Sequence, residues 1–450
     1  MQTETLDAPK APQSGSQTPG AEEPSLRDHA MWLAALLALA FALRLAWVIF
    51  SDWQPGTSDD AFRYDFTARA LLDGSGYVHV NGAPTAFWPP GYTLLLAATY
   101  GVSGGSVLAA QLLNVVLGTA TVGITYLIGR RTVGPRAGLL GAAIVACFPS
   151  LIFFTAVTLS ETAFTFFALL GIYLIVVDAQ REGSRNLRLL LGAGLILGFA
   201  TLVRGQALLL PLVIVPFWLA SGLRWPAIIP KLVVLALGIG LIVTPWTIRN
   251  AIELDSPVLI STNAGVNFWM GHNPNAGGAL DLAAGNELVF RHPELTTVER
   301  EVRINIEGFR DGLAYAAGHP ARELVLPFRK LFWLYYNDEE GLKWNEGHGA
   351  QPFLSGAARQ ALTALSNVYY FAVAGFLLLG APLWLSLRRP GRLLLVSLLA
   401  YWTLVHLVFF GDPRFHAPIM PIVALLAATP WQMLRSGLWP WSWWTYAGSR

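Results

Sequence analysis

Charge is what this sequence has least of. Only 13% of its 450 residues are Asp, Glu, Lys or Arg, against about 25% in a soluble globular chain. That shortage excludes a surface covered throughout by water. Cysteine is nearly missing as well, since Cys147 stands alone in an apolar run, which excludes an intrachain disulfide and thiolate–metal chemistry. No block of basic residues is present and the net charge is +2, so nucleic acid is excluded as a partner. The eight histidines show neither HExxH nor any other paired spacing, so no metal ligand is assigned. No internal repeat period is visible.

What fills the chain is apolar: 54% of residues are hydrophobic. Apolar runs recur that can cross a hydrocarbon core of about 30 Å, and each must be a helix to satisfy its own backbone. The expected fold class is an all-α polytopic membrane protein with about ten spans. These are placed at 30–50, 106–128, 137–155, 160–177, 189–203, 206–220, 232–247, 362–387, 393–410 and 418–434. The first is too long for a signal-peptide core and no basic segment precedes it in the usual manner, so it is expected to remain as a span. Many of the 17 tryptophans flank these runs as interfacial anchors. Residues 1–27 are rich in Pro, Ser, Thr, Gln and Glu and are expected to form a disordered cytoplasmic tail. Residues 28–248 form an N-terminal transmembrane catalytic module that includes an external loop, 52–104. An external or interfacial region, 249–360, is followed by C-terminal spans over 361–435 and a second cytoplasmic tail, 436–450.

Basic clusters at 130–136, 181–188, 224–231, 388–392 and Arg435 alternate with the spans and mark one side as cytoplasmic. Four polar segments then share the opposite face: Gly56–Gly101, Glu161, residues 249–360 and the loop Gly411–His416. Within 249–360, Val302, Ile306, Phe309, Leu313 and Ala317 recur at helical spacing, predicting an amphipathic helix that serves as a lid or brace. The aromatic run Leu331–Tyr336 reads as a re-entrant or interface helix. Arg44, inside the first span, is explained by snorkelling or helix packing, with a substrate contact as the sharper alternative.

The stretch Gly56–Gly101 concentrates charge: Asp59, Asp60, Arg63, Asp65, Arg69 and Asp73. Ser58-Asp59-Asp60 reads as a helix start, and Gly74 and Gly76 stop that helix. Asp60, Arg63, Tyr64 and Thr67 then lie near one another at spacings of three and four. Both acids have a plain role at a helix N-terminus and in pairing with Arg63. Trp88-Pro89-Pro90-Gly91-Tyr92 permits no helix through it but starts one directly after.

The order of these motifs resembles the polyprenyl-phosphate-dependent glycosyltransferases of the GT-C type, which include aminoarabinose and protein mannosyl transferases. The matching residues are Asp59, Asp60, Tyr64, Asp65, Leu71 to Tyr77 and Pro89 to Tyr92. The likeness continues through Leu159 to Thr162, Val203 to Gly205, Asn267 to Pro274 and Arg414 to Pro418. It implies transfer of a sugar, with inversion, from a polyprenyl-phosphate donor to a lipid, glycan or protein acceptor. It places the chain in a bacterial inner membrane, with the active site facing away from the cytoplasm and membrane lipid around it.

Such transfer needs a carboxylate to deprotonate the acceptor and cations to hold the phosphate. By family position Asp59 is the expected base, with Asp60 as neighbour or alternate. Like charges this close push one carboxyl upward, toward a base's useful range. Arg204, Arg414 and Arg63 are the expected phosphate ligands, although Arg204 also reads as a boundary residue neutralised by lipid headgroups. Tyr64, Glu161, Asn267, His272 and Asn273 are assigned to sugar or acceptor. Glu161 is explained equally by stabilising a helix start, and the GHNPNAGG turn around His272 by an ordinary surface loop. No cofactor is assigned; a divalent cation is left open. Phe87-Trp88 departs from the Glu-Lys of aminoarabinose transferases, which puts a metal or donor contact there in doubt. The rival reading is a transporter or flippase of lipid-linked sugars, which predicts inverted repeats and polar groups near the midplane; the sequence shows neither.

Overall fold

The computed structural model describes residues 26–180, 187–385 and 389–435. Most of both expected tails, and Arg181, Arg185 and Arg388 of the basic clusters, lie outside the described residues. The described chain is helical, with isolated bridges such as Val78–Pro84 in place of any strand. It is an integral membrane protein: six helices among the described residues are long and apolar enough to cross a bilayer. They are α1 (Leu26–Ser51), α4 (Val107–Thr132), α7 (Ser160–Ala179), α11 (Trp225–Glu253), α17 (Gly356–Leu379) and α19 (Pro390–Val408).

The four remaining expected spans are shorter or broken, and proline is the main cause. The run at 137–155 divides into α5 (Pro135–Cys147) and α6 (Pro149–Phe153), because Pro149 lacks an N–H and holds Phe148 extended. The run at 206–220 becomes a 3-10 turn, then α9 (Leu210–Val213) and α10 (Val215–Ala220), with Pro211 and Pro216 in their first turns. The other two are α8 (Leu187–Val203) and α20 (Met420–Arg435). A short α18 (Ala381–Trp384) follows α17. In the bundle α8 packs on both α7 and α11, α4 on α1, α5 and α7, and α20 on α5 and α17.

Two helices come from the charged stretch: α2 (Asp60–Leu72) and α3 (Pro90–Ser103). Between α11 and α17 lie α12 (Asn263–Gly271), α13 (Leu282–Val289), α14 (Thr297–Gly318), α15 (Pro320–Tyr335) and α16 (Glu340–Gly347).

The amphipathic helix is α14, closed at its start by a capping box of Thr296 and Glu299. Its buried face is not the one its apolar periodicity indicates. Ile306 and Leu313 are 58% and 59% exposed, while Glu301, Ile304, Glu307, Gly308 and Gly312 are buried. Backbone proximity decides this: a Cβ on Gly308 would stand 2.2 Å from the Gly265 carbonyl oxygen of α12. The contact is made between main chains, so Ile306 and Leu313 point elsewhere, while Phe309 packs against Phe268 of α12, with ring centres 5.4 Å apart.

Candidate active site

The charged stretch folds as its motifs require. Asp59 is the N-cap of α2, its Oδ1 accepting from the Phe62 N–H at 3.0 Å. Asp60 is therefore the first helical residue. Pro89 and Pro90 start α3, and a Cβ on Gly91 would lie 2.6 Å from main-chain atoms of Leu202 and Val203. The glycine of the Pro-Pro-Gly-Tyr motif thus lets α3 touch the end of α8, directly before Arg204.

Four segments meet in one charged cluster. Arg414 donates from Nη1 to Asp60 Oδ2 at 2.8 Å and from Nε to Glu161 Oε1. Arg204 donates from Nη2 to the same Glu161 oxygen at 2.5 Å and from Nε to Ser160 Oγ at 2.9 Å. Glu161, Arg204 and Arg414 are all buried, whereas the Asp60 side chain is 35% exposed. The other nitrogen of each guanidinium, Arg204 Nη1 and Arg414 Nη2, carries no hydrogen bond among the described residues and is not sealed from solvent. A buried carboxylate therefore holds two forks together, each with one prong left over, a geometry suited to a phosphate.

The supports are local. Asp412 caps the 3-10 turn Pro413–Ile419, with Oδ1 accepting from the Arg414 N–H at 2.8 Å. The Arg414 guanidinium lies 4.5 Å from the Trp344 ring centre. His416 donates from Nδ1 to the Leu334 carbonyl at 2.8 Å and places Nε2 3.0 Å from Asp338 Oδ1. Burial pushes the Asp338 carboxyl up, against the opposing pull of His416.

Phe87-Trp88 replaces a polar pair yet supplies a polar contact: the Trp88 indole N–H donates to Asp60 Oδ1 at 3.2 Å. Burial alone would raise the Asp60 carboxyl. The adjacent Arg414 charge, with hydrogen bonds from Arg414 and Trp88, more than offsets this and holds it below the ordinary value. The upward push expected from paired carboxylates is therefore not what governs Asp60. Asp59 faces elsewhere, its Oδ2 3.4 Å from His348 Nδ1.

Tyr64 is buried, edge-on to Tyr92 at 5.3 Å. Burial, with Asp60 nearby, pushes its hydroxyl up to about 12. The other expected ligands do not join the cluster. The Arg63 side chain makes no ion pair or hydrogen bond among the described residues, and its guanidinium lies 5.6 Å from the Phe62 ring centre. Asn267 is half-buried on α12. His272 binds the Val408 carbonyl at 2.7 Å and Glu323 at 2.9 Å. Asn273 folds its own turn, donating to Trp269 and Met270 carbonyls and accepting from the Asn275 N–H.

Glu301 of α14 is a further buried acid. It accepts from Ala86 N–H at 2.8 Å, from Thr85 and Thr262 hydroxyls at 2.7 Å each, and pairs with His79 at 2.7 Å. It pins the segment leading to Trp88 against α14. Burial would raise its carboxyl, but these four donors hold it below the ordinary value.

No group of three or more His, Cys, Asp or Glu side chains is placed to hold a metal ion among the described residues.

Residues 88–248 match the profile of the family described as dolichyl-phosphate-mannose-protein mannosyltransferase. The fold is that of the archaeal oligosaccharyltransferase AglB from Archaeoglobus fulgidus, solved with an inhibitory peptide and a dolichol-phosphate: TM-score 0.54, 13% identity, over 93% of this chain and 54% of that one. The apo form of the Archaeoglobus fulgidus oligosaccharyltransferase gives TM-score 0.52 and 14% identity, over 93% and 54% of the two chains. ArnT from Cupriavidus metallidurans, solved with undecaprenyl phosphate, aligns at TM-score 0.43 and 14% identity, over 91% of this chain and 79% of that one. This chain therefore spans about half the length, 54%, of the oligosaccharyltransferase it matches. No curated protein matches it in sequence. The fold is thus shared with the solved oligosaccharyltransferase, and residues 88–248 match the mannosyltransferase family profile.

Proposed function

We propose that this GT-C chain transfers a sugar, with inversion, from a polyprenyl-phosphate carrier to a lipid, glycan or protein acceptor. The reaction takes place on the non-cytoplasmic face of a bacterial inner membrane. The observation that carries this reading is the pair of half-free guanidinium forks, Arg204 and Arg414, joined by buried Glu161 beside the partly exposed Asp60. The carrier is supported by the dolichyl-phosphate-mannose description of the matching family and by the dolichol-phosphate bound to the oligosaccharyltransferase of the same fold.

In this reading the donor phosphate takes the unbonded prongs of Arg204 and Arg414. Its negative charge competes with Asp60 for Arg414 and frees the carboxylate. The acceptor oxygen forms its bond to the anomeric carbon from the side opposite the phosphate. The carbon–oxygen bond to the phosphate breaks, its electron pair leaving with the phosphate on the carrier. The acceptor proton passes to Asp60. Both arginines stabilise charge that grows on the leaving phosphate. Asp59, as the cap of α2, sets where Asp60 stands. Tyr64 lies beside the sugar, while His272 and Asn273 shape the neighbouring loop.

The test uses the purified chain in nanodiscs with polyprenyl-phosphate hexose or pentose donors and a panel of acceptors. Transfer that inverts the anomeric centre and disappears in Asp60→Asn supports the reading. Full transfer by Asp60→Asn, with Asp59→Asn inactive, would return the base to Asp59.

A further inference from the structure

The geometry points to a binding site on α15 for the phosphate of an anionic phospholipid, separate from the charged cluster. Three observations carry it: the depth of the helix, the side chains on its outer face, and one arginine without a partner.

Depth comes from the contacts of α15 with two spans. Lys330 reaches the carbonyl of Val408, the last residue of α19, at 3.5 Å. A turn and a half further on, the Tyr335 hydroxyl meets Thr403 at 2.8 Å, inside α19, and its carbonyl accepts from Tyr370 at 2.9 Å, well inside α17. Lys330, well along α15, is thus level with the end of α19, and only the last turn and a half of the helix descends between two membrane spans.

Its outer face is apolar. Leu324, Phe328, Leu331 and Phe332 are exposed, Phe328 by 74%, while Leu326, Lys330 and Leu334 are buried. The spans it meets also bear exposed apolar side chains, Leu404 and Val408 on α19 and Leu365, Val368 and Phe371 on α17. Beyond Lys330, where the helix descends between the spans, exposed Leu331 and Phe332 meet acyl chains.

Arg329 stands in this face. It is exposed and makes no ion pair or hydrogen bond among the described residues. With Gly277, Phe328, Phe332 and Trp333 it lines an open cleft of about 420 Å³. One residue from Lys330, it lies near the level where α19 ends and lipid phosphates begin. Just below, Phe332 stacks on Tyr336 and Trp333 meets both edge-on, with ring centres 5.0–5.5 Å apart, the composition of an interfacial aromatic belt. A guanidinium at phosphate depth above an aromatic floor fits a phosphodiester headgroup whose chains run down the helix. The cluster at Arg414 is reached from the opposite side of α15, through the Leu334 carbonyl that holds His416. Arg329 therefore does not serve the sugar donor.

Native mass spectrometry of the full chain in detergent tests this. Wild type, Arg329→Gln, Arg329→Lys and the control Arg310→Gln, an exposed arginine of α14, are titrated in turn with phosphatidylglycerol, phosphatidylcholine, a polyprenyl phosphate and inorganic phosphate. The expected result is preferential retention of phosphatidylglycerol, weakened about tenfold by Arg329→Gln, partly restored by Arg329→Lys and unchanged in Arg310→Gln. Unaltered phosphatidylglycerol binding in Arg329→Gln overturns the proposal. So does a polyprenyl phosphate, or inorganic phosphate alone, that takes the Arg329 site in preference to phosphatidylglycerol. Arg329 is exposed, and thermal unfolding of each variant confirms that the compared chains are folded.

Discussion

Arg414 and Asp60, 354 residues apart in the chain, are joined at 2.8 Å. This one contact sets the surroundings of two adjacent acids apart. Asp59 spends its Oδ1 on the first turn of α2, while Asp60 presents a partly exposed carboxylate to Arg414, which makes it the base of the proposed reaction. Asp60→Asn is expected to lower transfer by about a hundredfold or more, the usual contribution of a general base. Asp59→Asn preserves the cap and should leave the rate within a few fold, whereas Asp59→Ala removes it at a cost of about 1 kcal/mol. Initial rates and thermal unfolding of the three variants separate the roles.

Glu161 keeps two buried arginines from repelling each other. Removing one partner of a buried ion pair costs about 3–5 kcal/mol, because charge is left uncompensated. Glu161→Gln is therefore expected to lower the unfolding temperature markedly. The double variant Glu161→Gln with Arg204→Met should recover part of the loss, since only one arginine then remains, and it still has Asp60. Intrinsic fluorescence during heating reads both. Equal stability of the wild type and Glu161→Gln would show that Glu161 does not hold the two charges together.

Much of this architecture is legible in the sequence because lipid imposes a coarse code, long apolar runs divided by arginines. The proline-bearing runs at 137–155 and 206–220 read as single spans because hydropathy sums over a window in which Pro149, Pro211 and Pro216 weigh little. Three site residues, Glu161, Arg204 and Arg414, are readable from motifs at span ends. The partners they acquire are not, since nothing local connects position 60 with 414. Trp88 is missed because its value is one N–H on an otherwise apolar ring, and Ser160 because it reads as a helix cap. Glu301 escapes because periodicity counts apolar side chains, while α14 packs through Gly308 and Gly312. Asp412 did leave a signal: the Gly-Asp-Pro before Arg414 is a turn sequence with an acid placed to cap it.

Two acids near Arg414 respond to pH in opposite directions. Asp60 is held below its ordinary value of 3.8 in the folded chain, the arginine outweighing burial. Its stabilisation is present above 3.8 and is lost as pH falls through the lower folded value. Asp412 is pushed up to about 6 by burial, with Glu340 adding to it and Arg414 opposing. Its contribution is greatest below 3.8 and is lost as pH rises through about 6. The unfolding-temperature difference between wild type and Asp60→Asn should stay constant at neutral pH and shrink only in strong acid. Asp412→Asn should gain on wild type between pH 4 and 6, because the amide needs no proton.

Gly91 connects a motif to the position of Arg204. A Cβ there would stand 2.6 Å from main-chain atoms of Leu202 and Val203, and 2.9 Å from the Leu202 carbonyl oxygen. Main chain cannot rotate aside as a flexible side chain does, so Gly91→Ala must part α3 from the end of α8. Arg204 follows at once and carries one of the two forks on Glu161. Overpacking of this kind costs about 1–3 kcal/mol. A shift of about 1 Å in a positioning element can reduce rate about a hundredfold. Gly91→Ala is thus expected to lose more activity than stability, with weaker binding of polyprenyl phosphate. Gly240→Ala serves as the control, since its added Cβ meets nothing within 4 Å. If both glycine variants retain wild-type donor affinity and rate, the contact between α3 and α8 does not position Arg204.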